Sequence, residues 1–153
     1  DELCKNHDGL QNAILVGYIE LMLNFCQRFY NRQFLTRKIE YSDILVRFDR
    51  LLRDYFSDGL QLSIGLPTVQ YCADKLCMSP NYFGDLIKKT TGETASRHIR
   101  QFVIQLAKNG LASGENVSQV SDRLGFEYPQ HFSRMFKKQE GITPSEYCQK
   151  LHS

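Results

Sequence analysis

Two adjacent pairs of lysines are the side chains whose type and spacing point most clearly to a binding chemistry. Lys88-Lys89 and Lys137-Lys138 lie 49 residues apart, and each pair ends a segment of helical periodicity. Ammonium groups at such positions contact nucleic-acid phosphates or are simply solvated. For catalysis we find no nucleophile–base pair, no paired carboxylates, no glycine-rich phosphate loop and no set of metal ligands. The sequence therefore predicts a binding protein and not an enzyme.

The five cysteines do not indicate a metal site or a disulfide framework. None belongs to a Cys-x-x-Cys pair, and an odd number favours reduced thiols. The nearest two, Cys72 and Cys77, have no histidine close by to complete a zinc site. We expect the cysteines to be small buried apolar residues of a cytosolic protein, and we predict no metal and no cofactor.

The overall charge is small and unevenly distributed. Nineteen Lys and Arg against 17 Asp and Glu give a net charge of +2. Residues 1–60 carry 8 basic and 9 acidic side chains, whereas residues 61–153 carry 11 and 8, so the basic excess is confined to the C-terminal part. No apolar run approaches the roughly 18 residues of a membrane span, and no signal-peptide pattern is present. We expect a cytoplasmic protein that does not contact a membrane.

Apolar residues recur at helical spacing along nearly the whole chain, which predicts an all-α fold. The first predicted helix covers about residues 10–34, and its apolar face is wider than a surface helix needs. The polar residues Arg37, Lys38 and Glu40 then indicate a break. A second helix is expected to begin after Ser42 as its N-cap and to stop at residues 57–59.

Shorter helices are predicted beyond a connector at residues 59–66. Each begins with a side chain that can accept a hydrogen bond from the first helical turn, which is the usual N-cap chemistry. Proline follows two of these caps, at the first helical position that it favours. The predicted N-caps are Thr68, Ser79, Thr94, Asn116 and Thr143.

An internal duplication organises this C-terminal part. Each copy predicts a short helix, a tight turn and a second helix, which is a helix-turn-helix unit. Gly125 occupies the second turn, where a left-handed backbone favours glycine. At an offset of 48, Val69, Asp74, Lys75 and Leu76 match Val117, Asp122, Arg123 and Leu124; at an offset of 49, Phe83, Leu86, Ile87, Lys88 and Lys89 match Phe132, Met135, Phe136, Lys137 and Lys138.

Residues 66–151 resemble the DNA-binding domain of the AraC/XylS family of bacterial transcription regulators. Two helix-turn-helix units in register carry the resemblance, and the second unit carries most of it. The motifs are Ala73-Asp74-Lys75-Leu76, Ser79-Pro80-Asn81-Tyr82-Phe83, Leu124-Gly125-Phe126, His131-Phe132-Ser133-Arg134-Met135-Phe136-Lys137 and Gly141-Ile142-Thr143-Pro144-Ser145-Glu146-Tyr147.

The resemblance implies an AraC-type DNA-binding domain over residues 41–153. Two helix-turn-helix subdomains, at about residues 68–91 and 117–139, would be joined by a rigid linker helix at 94–112. The helix at residues 42–57 would pack on the first subdomain.

The second helix of each unit would lie in the major groove, and the two would reach segments about 34 Å apart. Gln130 would pair with an adenine edge, and Arg134 with guanine or with a phosphate. The base-facing positions implied by the family are Asn81, Gly84 and Asp85 in the first helix and Tyr128, Pro129, Gln130, His131, Ser133 and Arg134 in the second. The phosphate-facing lysines would be Lys88, Lys89, Lys137 and Lys138.

The first recognition helix departs from the family pattern at Gly84-Asp85. Glycine lowers helix propensity by roughly 1 kcal/mol relative to alanine, and an aspartate facing DNA repels phosphate unless it accepts from cytosine. The family pattern is also not followed in the linker helix, at Val103 and Asn109-Gly110, or in the first turn, at Cys77. An alternative function is therefore a degenerate double helix-turn-helix that binds proteins, with little binding to DNA.

Residues 1–40 are interpreted as a helical dimerisation or linker segment that ends a sensor domain not encoded in this sequence. A long helix with a wide apolar face favours a partner helix, either in a second copy or through a fold back onto residues 42–57. The dimerisation residues would be Ile14, Tyr18, Leu21, Met22, Phe25 and Phe29.

The sequence thus predicts a bacterial, nucleoid-associated transcription regulator that binds a specific double-stranded site. RNA polymerase is the expected protein partner. A small-molecule effector would act only through the domain outside this chain.

Overall fold

The computed structural model describes the backbone of residues 2–153 and the side chains of residues 11–33 and 42–153. The regular elements of this part are α-helices, as predicted. They are α1 (Glu2–Ser57), α2 (Leu60–Ile64), α3 (Val69–Lys75), α4 (Pro80–Thr91), α5 (Ala95–Ala112), α6 (Val117–Arg123), α7 (Pro129–Glu140) and α8 (Pro144–Leu151). The chain divides into two compact parts, residues 1–40 and 41–153.

The predicted break between two N-terminal helices is wrong. The backbone of α1 is helical through Arg37, Lys38 and Glu40, and Ser42 is an interior residue of α1 and not an N-cap. Residues 35–41 contain no glycine or proline, and Arg, Lys and Glu are among the better helix formers, so a polar run continues the helix.

The predicted N-caps of the shorter helices are confirmed. The side chains of Thr68, Ser79 and Thr94 accept hydrogen bonds from backbone N–H groups in the first turns of α3, α4 and α5. Asn116 and Thr143 form capping boxes with Gln119 and Glu146 at the starts of α6 and α8. Local sequence therefore determines where these helices begin.

The C-terminal segment of α1 packs on the first helix-turn-helix unit, α3 and α4, as the family resemblance implied. Phe48 is fully buried, and its ring meets that of Phe83 in α4 edge-on at 4.9 Å. His98 of α5 also stacks on the Phe48 ring, and its Nε2 lies 2.8 Å from the Asp49 carboxylate. This cluster joins α1, α4 and α5.

The second helix-turn-helix unit, α6 and α7, is built around the equivalent aromatic residue. Phe132 is fully buried between Phe126 of the turn and Phe136, with ring centroids 5.4 and 5.8 Å away. Phe136 then meets Tyr147 of α8 at 5.5 Å. The second unit thus packs on α8, where the first packs on α1.

The linker helix α5 contacts both units, and two of its unusual residues are explained by packing. Val103 is completely buried in the core, where a basic side chain would have no solvent. Gly110 is also buried, and a Cβ atom there would collide with the Arg123 guanidinium and lie 3.1 Å from the Val120 side chain. Gly110 therefore lets α6 approach α5 closely.

The prediction that the cysteines are buried is confirmed for Cys72 and wrong for Cys26 and Cys77. Cys72 is buried, and this burial raises the pKa of its thiol to about 12, whereas Cys26 and Cys77 are exposed and Cys148 is half-buried. The Cys4 side chain lies outside the described residues. The four described cysteines are free thiols, and no group of three potential metal ligands occurs among the described residues.

In the same part of the chain, no helix is long and apolar enough to cross a membrane.

Candidate nucleic-acid interface

The turns of the two units repeat the same backbone hydrogen bonds. In the first turn, the N–H groups of Cys77 and Met78 donate to the carbonyls of Asp74 and Ala73, at 3.1 and 2.9 Å. In the second, the N–H groups 48 residues later, of Gly125 and Phe126, donate to Asp122 and Ser121 at 3.1 Å each. The duplication in the sequence is therefore a duplication of backbone geometry.

The outer face of α7 is polar. Phe132 and Phe136 anchor the inner face, and the positions two residues earlier point away from them because a helix turns about 200° in two residues. Gln130 and Arg134 lie one helical turn apart on this outer face, and both are exposed. Among the described residues, neither side chain has a hydrogen-bond or ion-pair partner. Both are available to a ligand.

The neighbouring predicted positions of α7 extend this face. Tyr128, Pro129 and His131 are exposed, and Ser133 is half-buried. The rings of Tyr128 and His131 meet edge-on at 5.5 Å. The two side chains thus stand together at the start of α7, where a recognition helix meets base edges.

The outer face of α4 contains different residues at the equivalent positions. Asn81 and Asp85 are exposed and correspond to Gln130 and Arg134, while Gly84 is half-buried, like Ser133. The Asp85 carboxylate has no cation within ion-pair distance among the described residues. Charge is therefore reversed between the two helices at this position.

The first turns of the two recognition helices also differ. Ser79 caps α4 by accepting from the Tyr82 N–H at 3.2 Å. Tyr128 precedes α7 without a side-chain cap, and one extra residue, Glu127, is inserted before it. The second unit thus exchanges a capping serine for an exposed aromatic ring.

The predicted phosphate-facing lysines all lie in the last turns of their helices. Lys88 and Lys89 end α4, Lys137 and Lys138 end α7, and all four are exposed. Cations there also interact favourably with the helix dipole. The backbone N–H of Thr143, and then its hydroxyl, hold the pKa of the Glu146 carboxyl low by hydrogen bonding, so this acid stays charged near Lys137.

Two further features of this surface were not predicted from the sequence. Tyr82 is exposed and stands at the position equivalent to His131, which the 49-residue offset could have identified. Arg97 and Arg100 of α5 share an open cleft with Lys138 of α7, although Arg97 also pairs with Glu93 at 3.2 Å. Their i, i+3 spacing on the linker helix was the available signal.

Comparison with known proteins identifies the family. A family model described as a helix-turn-helix domain matches residues 72–150, which is half of the chain. The C-terminal domain of AraT, a response regulator from Geobacillus stearothermophilus, superposes with a TM-score of 0.56 at 25% identity, covering 67% of this chain and 84% of that one. The chain belongs to the AraC/XylS family.

Curated AraC-type relatives extend well beyond this chain. The transcriptional regulatory protein YesN of Bacillus subtilis strain 168 is 36% identical over 80 residues, which cover 50% of the chain and 22% of YesN. The MmsAB operon regulatory protein of Pseudomonas aeruginosa is 25% identical over 158 aligned residues, covering 95% of the chain and 50% of that protein. The chain spans half or less of the length of these two relatives.

Proposed function

We propose that this chain binds a specific double-stranded DNA site and that the protein regulates bacterial transcription. The observation that carries the proposal is the pair of repeated helices, α4 and α7, which present exposed polar faces from equivalent positions of two matched units. Family membership supports the same function. Each helix would lie in one of two successive segments of the major groove.

Base recognition is assigned mainly to α7. Gln130 and Arg134 are exposed, one turn apart and free of partners among the described residues, so their hydrogen-bonding groups are available without breaking a contact. Glutamine fits the adenine edge and arginine fits guanine. Tyr128, Pro129, His131 and Ser133 complete the face, and Asn81, Gly84 and Asp85 form its smaller counterpart on α4.

Contact with the DNA backbone is assigned to the two lysine pairs. Lys88, Lys89, Lys137 and Lys138 are exposed at the ends of the recognition helices, where cations hold phosphates and set orientation. Each phosphate contact releases counterions from the duplex, which makes the affinity depend on salt.

A salt titration of duplex binding tests this function. We expect the logarithm of the association constant to fall linearly with the logarithm of salt concentration, with a slope of several units. Binding that is absent at low salt, or that does not change with salt, would contradict the proposal.

Replacing Arg134 tests the assignment of base recognition. We expect Arg134→Ala to weaken binding to the preferred site by about 1–3 kcal/mol and to relax the preference at one base pair. Arg53→Ala is the matched control, because Arg53 is an exposed arginine on α1. An equal loss on all DNA sequences would reassign Arg134 to a phosphate.

A protein-binding module is a second candidate function, favoured by one observation. Asp85 places on the outer face of α4 a carboxylate that has no cation partner among the described residues, where it would repel DNA phosphates. A chain that binds no duplex at low salt, yet remains folded, would favour this candidate.

We also propose that residues 1–40 form a dimerisation segment. The apolar side chains Ile14, Tyr18, Leu21, Met22, Phe25 and Phe29 are 51–68% exposed on α1, and bulky apolar side chains at this density favour a second copy. Sedimentation at micromolar concentration should show a dimer that Phe25→Asp dissociates and Gln27→Asp does not, because Gln27 is exposed on the opposite face of α1. A strictly monomeric wild-type chain would contradict this proposal.

The remaining partners follow from the family resemblance. RNA polymerase is the proposed protein partner. A small-molecule effector is proposed to act through a domain outside these 153 residues, and the protein is proposed to act on the nucleoid in the cytoplasm. Pull-down of RNA polymerase by the DNA-bound full-length protein tests the first of these.

A further inference from the structure

The one-turn helix α2 lies before the first helix-turn-helix unit in the sequence but contacts the second. Gln61 of α2 donates a hydrogen bond from Nε2 to the carbonyl oxygen of Arg123, at 3.1 Å. The two residues are 62 positions apart, and Gln61 is only 6% exposed. The predicted connector at 59–66 is therefore partly helical, and within α2 it is Gln61 that is buried against the end of α6, while Leu62 and Ile64 are exposed.

The Arg123 carbonyl is one of the groups that a helix end leaves unpaired. At the end of α6, the turn N–H groups of Gly125 and Phe126 bond to Asp122 and Ser121. The Arg123 carbonyl is left for Gln61, which caps α6 from a distant part of the chain. No side chain among the described residues bonds to the equivalent Lys75 carbonyl of the first unit.

The α2 backbone also touches the second turn. Gly125 has φ of 82°, and a Cβ atom built on it would collide with the carbonyl of Gln61. Gly92 and Gly141 have nearly the same φ but open space around them. Gly125 is thus required for two reasons, the left-handed backbone and the close approach of α2.

The other end of α2 is held by α1. Tyr55, which is 2% exposed, donates its hydroxyl to the carbonyl oxygen of Gly65 at 2.6 Å. The ring of Tyr55 also meets Tyr71 of α3 edge-on at 5.1 Å. α2 is therefore held between the C-terminal end of α1 and the turn that precedes α7.

We propose that α2 fixes the orientation of the second recognition helix relative to the first unit, with Gln61 as the positioning residue. The Gln61 Oε1 atom is buried without a partner among the described residues, so glutamine is an unfavourable choice for packing alone. Its donor to Arg123 is the useful group. This inference rests on the proposed DNA binding, since orientation of the two helices determines which spacing of groove segments is bound.

The first test measures the turn itself and requires no DNA. Gln61→Met keeps the unbranched shape and removes the donor. Gln70→Met is the matched control, because Gln70 of α3 is exposed and its side chain bonds to Asp74 of its own helix, at 2.8 Å. We expect the amides of Gly125 and Phe126 to exchange with solvent roughly three- to tenfold faster in Gln61→Met, the effect of one hydrogen bond, while Gln70→Met leaves them unchanged.

Unchanged exchange at the second turn would overturn the proposal. An equal increase in amide exchange at Cys77 and Met78 of the first turn would also overturn it, because it would show that the whole domain is destabilised and not the second turn alone.

The second test uses spacing. Duplexes are selected with the wild-type chain, and one base pair is then inserted between the two preferred segments, which rotates them by about a tenth of a turn. We expect the insertion to weaken wild-type binding on the order of tenfold and to weaken binding of Gln61→Met severalfold less. The same spacing penalty in both proteins would overturn the proposal. Failure of the wild-type chain to bind any duplex would instead refute the proposed function. The exchange measurement would still test whether Gln61 of α2 holds the second turn in place.

Discussion

The two helix-turn-helix units share their buried residues and differ on their exposed faces. Phe83 and Phe132 are both completely buried, and both turns make the same two backbone hydrogen bonds. On the outer faces, Asp85 of the first copy occupies the position equivalent to Arg134 of the second. The two copies thus share their packing and differ in the side chains exposed on α4 and α7.

The supports of the two units differ as well. The first packs on α1 through Phe48 and has a capped recognition helix. The second packs on α8, its recognition helix α7 begins without a side-chain cap, and Gln61 of α2 caps the C-terminal end of its first helix, α6. The first unit is thus supported by α1, whereas the second is supported by α8 and α2.

The largest expected effect comes from removing the equivalent core aromatics. Phe83→Ala and Phe132→Ala should each lower the free energy of unfolding by about 3–5 kcal/mol, measured by denaturant titration. Only Phe83→Ala removes a ring that Phe48 contacts. Only this variant should therefore make the amides of residues 44–56 exchange by local opening, faster than global unfolding allows. Faster amide exchange of residues 44–56 in Phe132→Ala instead would contradict the conclusion that the two units have separate supports.

The next effect separates backbone strain from the α2 contact. Gly141→Ala should cost about 1–2 kcal/mol of stability, because alanine must adopt a left-handed conformation. Gly125→Ala should cost about 1–3 kcal/mol more, because the methyl group also meets the Gln61 backbone. Thermal unfolding of the two variants gives the difference. Equal losses would show that α2 does not pack against the turn.

A smaller, stabilising effect is expected in the first turn. Cys77 has φ of 58°, a left-handed conformation that the second turn fills with glycine. Cys77→Gly should raise the free energy of unfolding by up to about 1 kcal/mol, since strain relief exceeds the entropy lost by glycine. Denaturant titration checks this. Gly84→Ala is a second variant, because Gly84 lies in helix α4 without a left-handed backbone and so reports the entropy cost of glycine alone. A destabilised Cys77→Gly would mean that the thiol makes a contact worth more than the strain.

The smallest expected effect concerns charge on α4. Asp85→Asn should strengthen duplex binding by about 0.5–1 kcal/mol at low salt, because a like charge beside phosphate is removed. The control is Asp54→Asn, an exposed aspartate on α1. Weaker binding by Asp85→Asn would indicate that the carboxylate accepts a hydrogen bond from a base, as cytosine allows.

Much of the fold follows from local sequence. Caps such as Ser79 and Asn116 act within one helical turn, so their residue types predict the helix starts. The duplicated spacing predicts both units, because buried positions such as Phe83 and Phe132 repeat at one offset. The exposed face of α7 follows from the same offset.

The remaining features depend on contacts that local patterns do not record. A polar run at Arg37 and Lys38 suggested a break, but helix propensity, not polarity, decides whether a helix continues. Gly110 interrupts the good helix formers of α5, and the close approach of α6, whose Val120 side chain lies 3.1 Å from a Cβ atom placed there, explains it. The hydrogen bond from Gln61 to Arg123 spans 62 residues, and nothing in either neighbourhood indicates it.

Selection of binding sites from random duplex DNA tests the central claim most directly. The account predicts enrichment of two short segments about 10–10.5 base pairs apart, with the stronger base preference in the segment that Arg134→Ala relaxes. Enrichment of no sequence, or of a single segment that Arg134→Ala leaves unchanged, would contradict it.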